Sequence, residues 1–462
     1  MTHSSFNNDF ASLGMKKKLK ELFYHLFPSP FAIAIILTVV VFFLALIFTQ
    51  RPENAGSTYS ITILDYWQTG FWELLTFTMQ MALILILGHT LALTKFFNQL
   101  IDRLAQYCNS TSRAAMLISL VTILMSFLNW GLCLIFGAIF ARKVAERSHV
   151  LGKKLNYPLI GAAGYAGMMC WHGGFSGSAP LTVSGSEHFL MNQIGRIGIE
   201  DTLLSSMNIT VAISLIIIIP LSFFFIGKLV KEQRLDIQFS STQEKVQKIH
   251  VKGAEKIDHA KWVAIPVGLI ICFLAIRQAW NTPSQSGLGF IDLNYINFLL
   301  FGLGILLHGS FARFLKAIEK AIGGSVGIII QFPLYAGIMG IMKYSGLGAE
   351  ISYAFVAISN EVTLPIFTFF SAGLVNVFVP SGGGQWVVQG PIVTEAAQAL
   401  GVSIPKTIMA LSYGDQLTNM LQPFWALPLL GITKLKAKDI LPYSALVMLI
   451  GMLIFIANLL IF

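Results

Sequence analysis

Apolar residues run in blocks of about twenty along this chain, and polar residues collect between the blocks. Phe31–Thr49 is the first, long enough to cross a hydrocarbon core about 30 Å thick as a helix rising 1.5 Å per residue. Blocks at Phe71–Leu93, Leu203–Ile226, Trp262–Trp280, Tyr295–Ala312, Ile322–Tyr344 and Leu441–Phe462 predict six more spans. Two further blocks are interrupted. Pro158–Val183 contains Trp171-His-Gly-Gly-Phe-Ser-Gly-Ser-Ala-Pro180, and Pro405–Leu430 contains Tyr413-Gly-Asp-Gln-Leu-Thr-Asn-Met-Leu-Gln-Pro423. Few helices continue through such stretches, so each predicts two half-helices joined by a loop, for about nine spans in all.

Two segments follow another pattern. Ala114–Phe140 has Arg113 before it and Arg142, Lys143, Arg147, Lys153 and Lys154 after it. A single crossing puts one basic cluster on the outer side, whereas a re-entrant hairpin turning at Asn129-Trp130-Gly131 keeps both inside. Its first arm, about 14 residues, reaches roughly 21 Å, past the midplane. Glu361–Leu400 enters and leaves from the outer side. Its middle carries Asn376, Pro380, Ser381, Gly382, Gly383, Gly384, Gln385 and Trp386 among apolar residues. Irregular backbone survives at membrane depth only where protein or a water-filled cavity surrounds it. The alternatives are one ordinary span for the first segment and a Gly-Pro loop outside the bilayer for the second.

The halves can be laid over each other. Asn129 to Asn376 and Pro158 to Pro405 are the same 247 residues apart. At that spacing Gly167 falls on Gly414 and His172 on Asn419, and Gln80 matches Gln331 after a gap of four. The expected organisation is a cytoplasmic segment (1–30) and a first repeat (31–227, hairpin 114–140, broken span 158–183). A cytoplasmic linker (228–261), a linking span (262–280) and a second repeat (295–462, hairpin 361–400, broken span 405–430) follow. One span between the halves threads the second copy with opposite orientation. The fold class is an all-α polytopic membrane protein built from inverted repeats, with two re-entrant hairpins and two broken transmembrane helices. That is the architecture of secondary transporters.

Composition agrees. The chain is 55% hydrophobic and 11% charged, with mean hydropathy +0.71, against about 25% charge in soluble domains. The net charge of +9 does not point to nucleic acid, because Lys and Arg collect between apolar blocks and no basic-aromatic binding module is visible. Lys16, Lys17, Lys18 and Lys20 place the N-terminus in the cytoplasm, ahead of a block with no small-residue cleavage site. Lys95, Arg103, Lys316, Lys320, Lys434, Lys436 and Lys438 mark the same side, while Arg51, Glu53, Asp65, Glu187, Arg196, Glu200 and Asp201 fall in outer loops. Cys108, Cys133, Cys170 and Cys272 show no metal or redox spacing and read as small core residues.

Four irregular stretches should meet: the tips at Asn129-Trp130-Gly131 and Asn376–Gln385, and the breaks at His172–Ser178 and Gly414–Asn419. None contains Arg or Lys. A carboxylate there would be held by helix N-termini, hydroxyls and amides, with Asn129, Ser176, Ser178, Asn376 and Ser381 as donors. A dicarboxylate calls for a guanidinium fork, so the missing Arg favours one negative charge and a short apolar tail. Trp130, Phe175 and Trp386 either pack on that tail or fill helix contacts. Asp415 is a proton carrier, a cation ligand together with Thr418 and Asn419, or a cap on a half-helix. His172 either takes a proton or packs with its ring hydrogen-bonded, and His89 reads as interfacial. No metal site or cofactor is expected beyond a coupling Na+ or H+.

At Leu128-Asn-Trp-Gly131, Cys170-Trp-His-Gly-Gly-Phe-Ser-Gly-Ser-Ala-Pro180, Val379-Pro-Ser-Gly-Gly-Gly-Gln-Trp386 and Ser412-Tyr-Gly-Asp-Gln-Leu-Thr-Asn419, the chain resembles the bacterial short-chain fatty acid transporter family, the acetoacetate/butyrate type. The resemblance implies inward carriage of short monocarboxylates across a bacterial cytoplasmic (inner) membrane; symport with H+ or Na+ is the reading that Asp415 adds. It also implies kinship with the ion transporter superfamily, whose members are often homodimers with a scaffold and a moving transport domain. The alternative is the same fold exporting its anion or carrying another, such as a C4-dicarboxylate. An enzyme would need a cluster of acidic, metal-binding or nucleophilic residues, and the embedded segments offer only the isolated Asp415 and His172. Paired hairpins and broken helices argue for alternating access over a channel.

Overall fold

Lipid leaves the backbone no external partner, which restricts a membrane-embedded chain to closed hydrogen-bonded forms. The computed structural model describes residues 30–50, 58–185, 188–233, 253–281 and 293–462, and these are helical almost throughout. The first half holds α1 (Pro30–Phe48), α2 (Tyr59–Glu73), α3 (Leu75–Ala92), α4 (Lys95–Ala105), α5 (Thr111–Leu128), α6 (Trp130–Val150), α7 (Tyr157–Tyr165), α8 (Ser178–Ser184) and α9 (Ser206–Leu229). After α10 (Lys261–Asn281) come α11 (Leu293–His308), α12 (Phe311–Ile322), α13 (Val326–Tyr344), α14 (Leu347–Ala357), α15 (Leu364–Phe378), α16 (Gly382–Ala399), α17 (Ile404–Thr418), α18 (Pro423–Thr433) and α19 (Ala437–Ile461). Lys16–Lys20, Arg51, Glu53, Glu187 and most of the 228–261 linker lie outside the described residues.

The described residues contain six single helices long and apolar enough to cross a membrane, and α2–α3 adds a seventh as one span bent by 41°. One of the six, α5, is a hairpin arm. Nine spans are reached with the shorter α11 and two broken spans, α7–α8 and α17–α18. α7 ends in two 3₁₀ turns, Ala166–Met169 and Trp171–Gly173, and α17 in one, Asn419–Leu421. Two boundaries differ from the apolar blocks. The second span begins at Tyr59 rather than Phe71, which puts Asp65 inside α2 instead of in a loop. The first hairpin runs from 111 to 150 because α6 continues past the apolar block, where Glu146 accepts from Arg142 at 2.8 Å and pairs with Lys143 at 3.2 Å.

The repeat is visible in contacts. α7 and α17 begin 247 residues apart and are capped alike: Asn156 Oδ1 accepts the Leu159 N–H at 3.0 Å, and Ser403 Oγ accepts the Lys406 N–H at 3.4 Å. Gly167 lies so close to α5 that a Cβ would stand 2.8 Å from the Thr122 carbonyl oxygen, and one on Gly414 would stand 2.0 Å from that of Phe369 on α15. Thr122 and Phe369 are again 247 apart. Gln80 and Gln331 are each the sixth residue of α3 and α13. Those two helices pass antiparallel, with Phe77 stacked on Phe332 and Leu85 against Gly324, so equivalent elements run in opposite directions.

Burial is deepest where hairpins and broken spans cross, around Tyr157, Tyr165, Phe332, Phe369, Tyr413 and Phe424. α1 and α10 instead expose Ile36, Phe43, Ile47, Leu269, Phe273 and Ile276. Apolar faces this continuous belong in a bilayer. This is a multi-pass membrane protein.

Candidate functional site

All four irregular stretches converge, each tip on the break of its own repeat and the two breaks on each other. Asn129, extended at φ −160°, ends α5 and accepts the Gly131 N–H at 2.9 Å. The Phe175 N–H donates to the Phe127 carbonyl at 2.8 Å, and the Trp130 N–H to Ser176 Oγ at 3.1 Å. In the second repeat the Asn376 amide donates to the Asp415 carbonyl (2.6 Å), Thr418 Oγ1 (2.9 Å) and Asn419 Oδ1 (2.8 Å). Gln422 donates in turn to the Asn376 carbonyl. Between breaks, the Tyr165 hydroxyl donates to the Asn419 carbonyl at 2.6 Å, and Gln416 Oε1 accepts the His172 and Gly173 N–H groups at 2.8 and 3.3 Å. A 3₁₀ turn leaves such donors unpaired, and a side chain from the opposite repeat satisfies them.

His172 and Asp415 form the centre. Both are fully buried, and His172 Nδ1 stands 2.5 Å from Asp415 Oδ2. The Ala179 N–H donates to His172 Nε2 at 3.1 Å, which requires a lone pair there. The ring proton therefore sits on Nδ1 and is donated to the carboxylate. Among the described residues Asp415 Oδ1 is buried with no hydrogen-bond partner. An anionic oxygen in that state is costly.

Thr418 Oγ1 and Asn419 Oδ1, which one of the alternatives above joins to Asp415 around a cation, accept from the Asn376 amide, and Thr418 Oγ1 also donates to the Gly373 carbonyl at 2.9 Å. Asn376 joins them to the Asp415 carbonyl, not to its carboxylate. Among the described residues no group of three or more His, Cys, Asp or Glu could hold a metal ion.

The first turn of α16 lies against this pair. Ser381 caps it by accepting the Gly384 N–H at 3.2 Å. Gly382 has to be glycine here, since a Cβ would stand 2.9 Å from His172 Cε1 and from Trp171, and 3.3 Å from Asp415 Oδ2. At Gly383 a Cβ would lie 3.9 Å from Ser178, an ordinary contact. On another side of the turn, Ser381, Gly384 and Gln385 line a cavity of about 190 Å³. Its remaining walls come from α13, the end of α2 and both arms of the second hairpin, among them Met339, Met342, Val375, Val379, Lys343 and Glu73.

Two aromatic candidates stand away from this cavity. Trp130 packs among Trp425, Phe77 and Trp171, with ring centroids 5.1, 6.0 and 6.3 Å away, over the first tip. Trp386 is buried with Ala179, Val183 and Leu190. Phe175 is half-buried, and His89 occupies the last turn of α3. The sequence reading missed Gln416, Trp425, Lys343 and Glu73. The charged pair's one signal was a position at the edge of an apolar block.

A family model described as short chain fatty acid transporter matches residues 14–462. A relative from Escherichia coli K12 is 37% identical over 444 residues, covering 94% of this chain and 96% of its own. One from Haemophilus influenzae Rd is 35% identical over 445 residues, with the same coverage, and both are named, provisionally, as short-chain fatty acid transporters. Among solved structures, MtrF of Neisseria gonorrhoeae, described as one of a class of antimetabolite efflux pumps, aligns at TM-score 0.41 and 16% identity over 95% of this chain and 96% of its own. The YdaH transporter of Alcanivorax borkumensis aligns at TM-score 0.43 and 17% identity over 93% and 98%.

Proposed function

Because the chain belongs to the short-chain fatty acid transporter family, we propose that it carries short monocarboxylates such as butyrate or acetoacetate inward, each with a proton bound at the His172–Asp415 pair. The observation that carries the reading is the position of that pair, which touches the first turn of α16 through Gly382 while Ser381 and Gly384 of the same turn line the cavity. A helix N-terminus carries partial positive charge and free N–H groups. An ionised Asp415 competes for that field with a carboxylate in the cavity. Protonation at Oδ1 removes the competitor, so proton and substrate strengthen each other's binding, reciprocally by linkage. Sodium fits less well, because the hydroxyl and amide that would join Asp415 around it are already bonded to Asn376. The distribution of Lys and Arg supports a cytoplasmic N-terminus, and membership of the family supports a bacterial cytoplasmic membrane.

Purified protein in liposomes tests this. Labelled butyrate or acetoacetate should accumulate above protein-free vesicles when the outside is acidic, and not when only sodium is imposed, with succinate competing poorly. Asp415→Asn should abolish the pH drive while butyrate exchange across the membrane continues. Sodium-driven uptake unchanged by Asp415→Asn would remove the proton from the mechanism, and strong succinate competition would reverse the substrate class.

A further inference from the structure

Lys343, in the last turn of α13, and Glu73, the last residue of α2, face each other across the cavity wall. Glu73 stands at the bend where α2 meets α3 inside one span. An ionisable group at a bend within a span, as Glu73 is, is expensive in lipid and marks the paths of ions and substrates. Lys343 Nζ lies 3.3 and 3.4 Å from the two Glu73 oxygens and 3.3 Å from the Tyr344 hydroxyl. All three distances exceed the roughly 2.7–2.9 Å of a tight charge-assisted bond. The ammonium also lies 4.7 Å from the Tyr344 ring centroid, and the Tyr344 hydroxyl donates to Glu73, so a better-placed acceptor would replace long contacts on Lys343 while Tyr344 keeps Glu73.

We propose that the Lys343–Glu73 pair is an anion-exchange site: the substrate carboxylate replaces Glu73 on the Lys343 ammonium, with its tail in the cavity. This rests on the monocarboxylate reading above and adds a residue that selects charge. Met339, Met342, Val375, Val379, Val387 and Val388 supply the apolar wall for the tail. About 190 Å³ is below the roughly 300–1,000 Å³ of sites for drug-sized ligands and suits a few heavy atoms. The polar groups fix the orientation. Gln385 borders the cavity but is fully buried, and its amide is held by the Ala372 carbonyl and Gln389, so it offers an anion no donor. The carboxylate is thereby directed to Lys343, with the Ser381 hydroxyl able to donate to it. A second carboxylate would find Glu73 or the Met and Val side chains, so a single lysine selects a single charge.

The test is protection of a thiol. Val387 lines the cavity and is exposed, and the four native cysteines are buried, so Val387→Cys reports occupancy through a small charged thiol reagent. Butyrate should protect it in reconstituted vesicles. Adding Lys343→Gln should raise the half-protecting concentration at least tenfold, and Lys343→Arg should largely restore it. Glu73→Gln should leave it unchanged or lower it, and the Lys343→Gln/Glu73→Gln pair should match Lys343→Gln alone. A purely structural ion pair gives the opposite: both single changes weaken protection alike and the double change recovers it, which overturns the proposal. Wild-type protection with Lys343→Gln overturns it too, while uptake of butyrate by the same vesicles leaves the transport reading standing. Absence of both uptake and protection with native Lys343 sinks that reading and this inference together.

Discussion

The two breaks make the same contact with different chemistry. His172 reaches across to Asp415. The residue 247 positions after His172 is Asn419, and the residue 247 positions before Asp415 is Met168. Asn419 Nδ2 donates to the Met168 carbonyl at 3.4 Å, where its counterpart is an imidazole on a carboxylate at 2.5 Å. An inverted repeat supplies two equivalent seats at the centre, and here one holds titratable groups while the other holds an amide and a backbone oxygen. Symmetry supplies the geometry of alternating access. The proton chemistry proposed here depends on what breaks that symmetry. Two titratable seats would double the burden of buried charge, and two amide seats would leave no proton to couple.

The largest expected effect comes from erasing the difference. His172→Asn gives the first break the second's chemistry and removes the Nδ1 proton from Asp415. The pH gradient should then fail to drive butyrate above protein-free vesicles, while exchange of labelled for unlabelled butyrate persists. Gradient-driven uptake by that variant would mean the asymmetry at the breaks is incidental.

A smaller effect separates neighbours in the first turn of α16. At Gly382 a methyl group enters the His172–Asp415 contact, and at Gly383 it meets Ser178 at ordinary distance. Overpacking typically costs about 1–3 kcal/mol, and about 1.4 kcal/mol is tenfold in rate. Gly382→Ala should therefore lower the initial rate of pH-driven uptake about tenfold or more. Gly383→Ala should stay within about twofold and gain slightly in stability, since alanine favours helix by about 1 kcal/mol over glycine. Equal losses from both would show that the turn is crowded on every side, and the pair would lose its special proximity.

Much of the fold was legible because its signals are local. Glycine and proline cannot continue the two broken spans, and Pro158 and Pro405 open α7 and α17, where a missing N–H costs nothing. The pairing of His172 with Asp415 was not legible, since it joins residues 243 apart. Asn129 and Asn376 look equivalent in sequence, yet one ends its helix and the other sits inside the last turn of α15. α2 was hidden by its polar residues, so Glu73 read as an early residue of the second span rather than as its bend. Lys343 sits where positive charge is ordinary at a span's edge, and only the cavity gives it another meaning.

The tips sharpen the comparison further. The second is a glycine turn lining a cavity. The first is closed: a Cβ on Gly174 would stand 2.6 Å from the Phe127 Cα and carbonyl oxygen, and Ser176 Oγ holds the Trp130 N–H at the start of α6. In this conformation Ser176 acts as a helix cap rather than as a free donor. Ser176→Ala should consequently cost about 1 kcal/mol, the usual worth of such a cap, seen as a modest drop in thermal midpoint in detergent. The butyrate concentration giving half-maximal uptake should change less than twofold. The reverse result, unchanged stability with a several-fold rise in that concentration, would put the Ser176 hydroxyl on the substrate. Both tips would then belong to one binding site, and the sealed first tip would be a passing state of a more symmetric cycle.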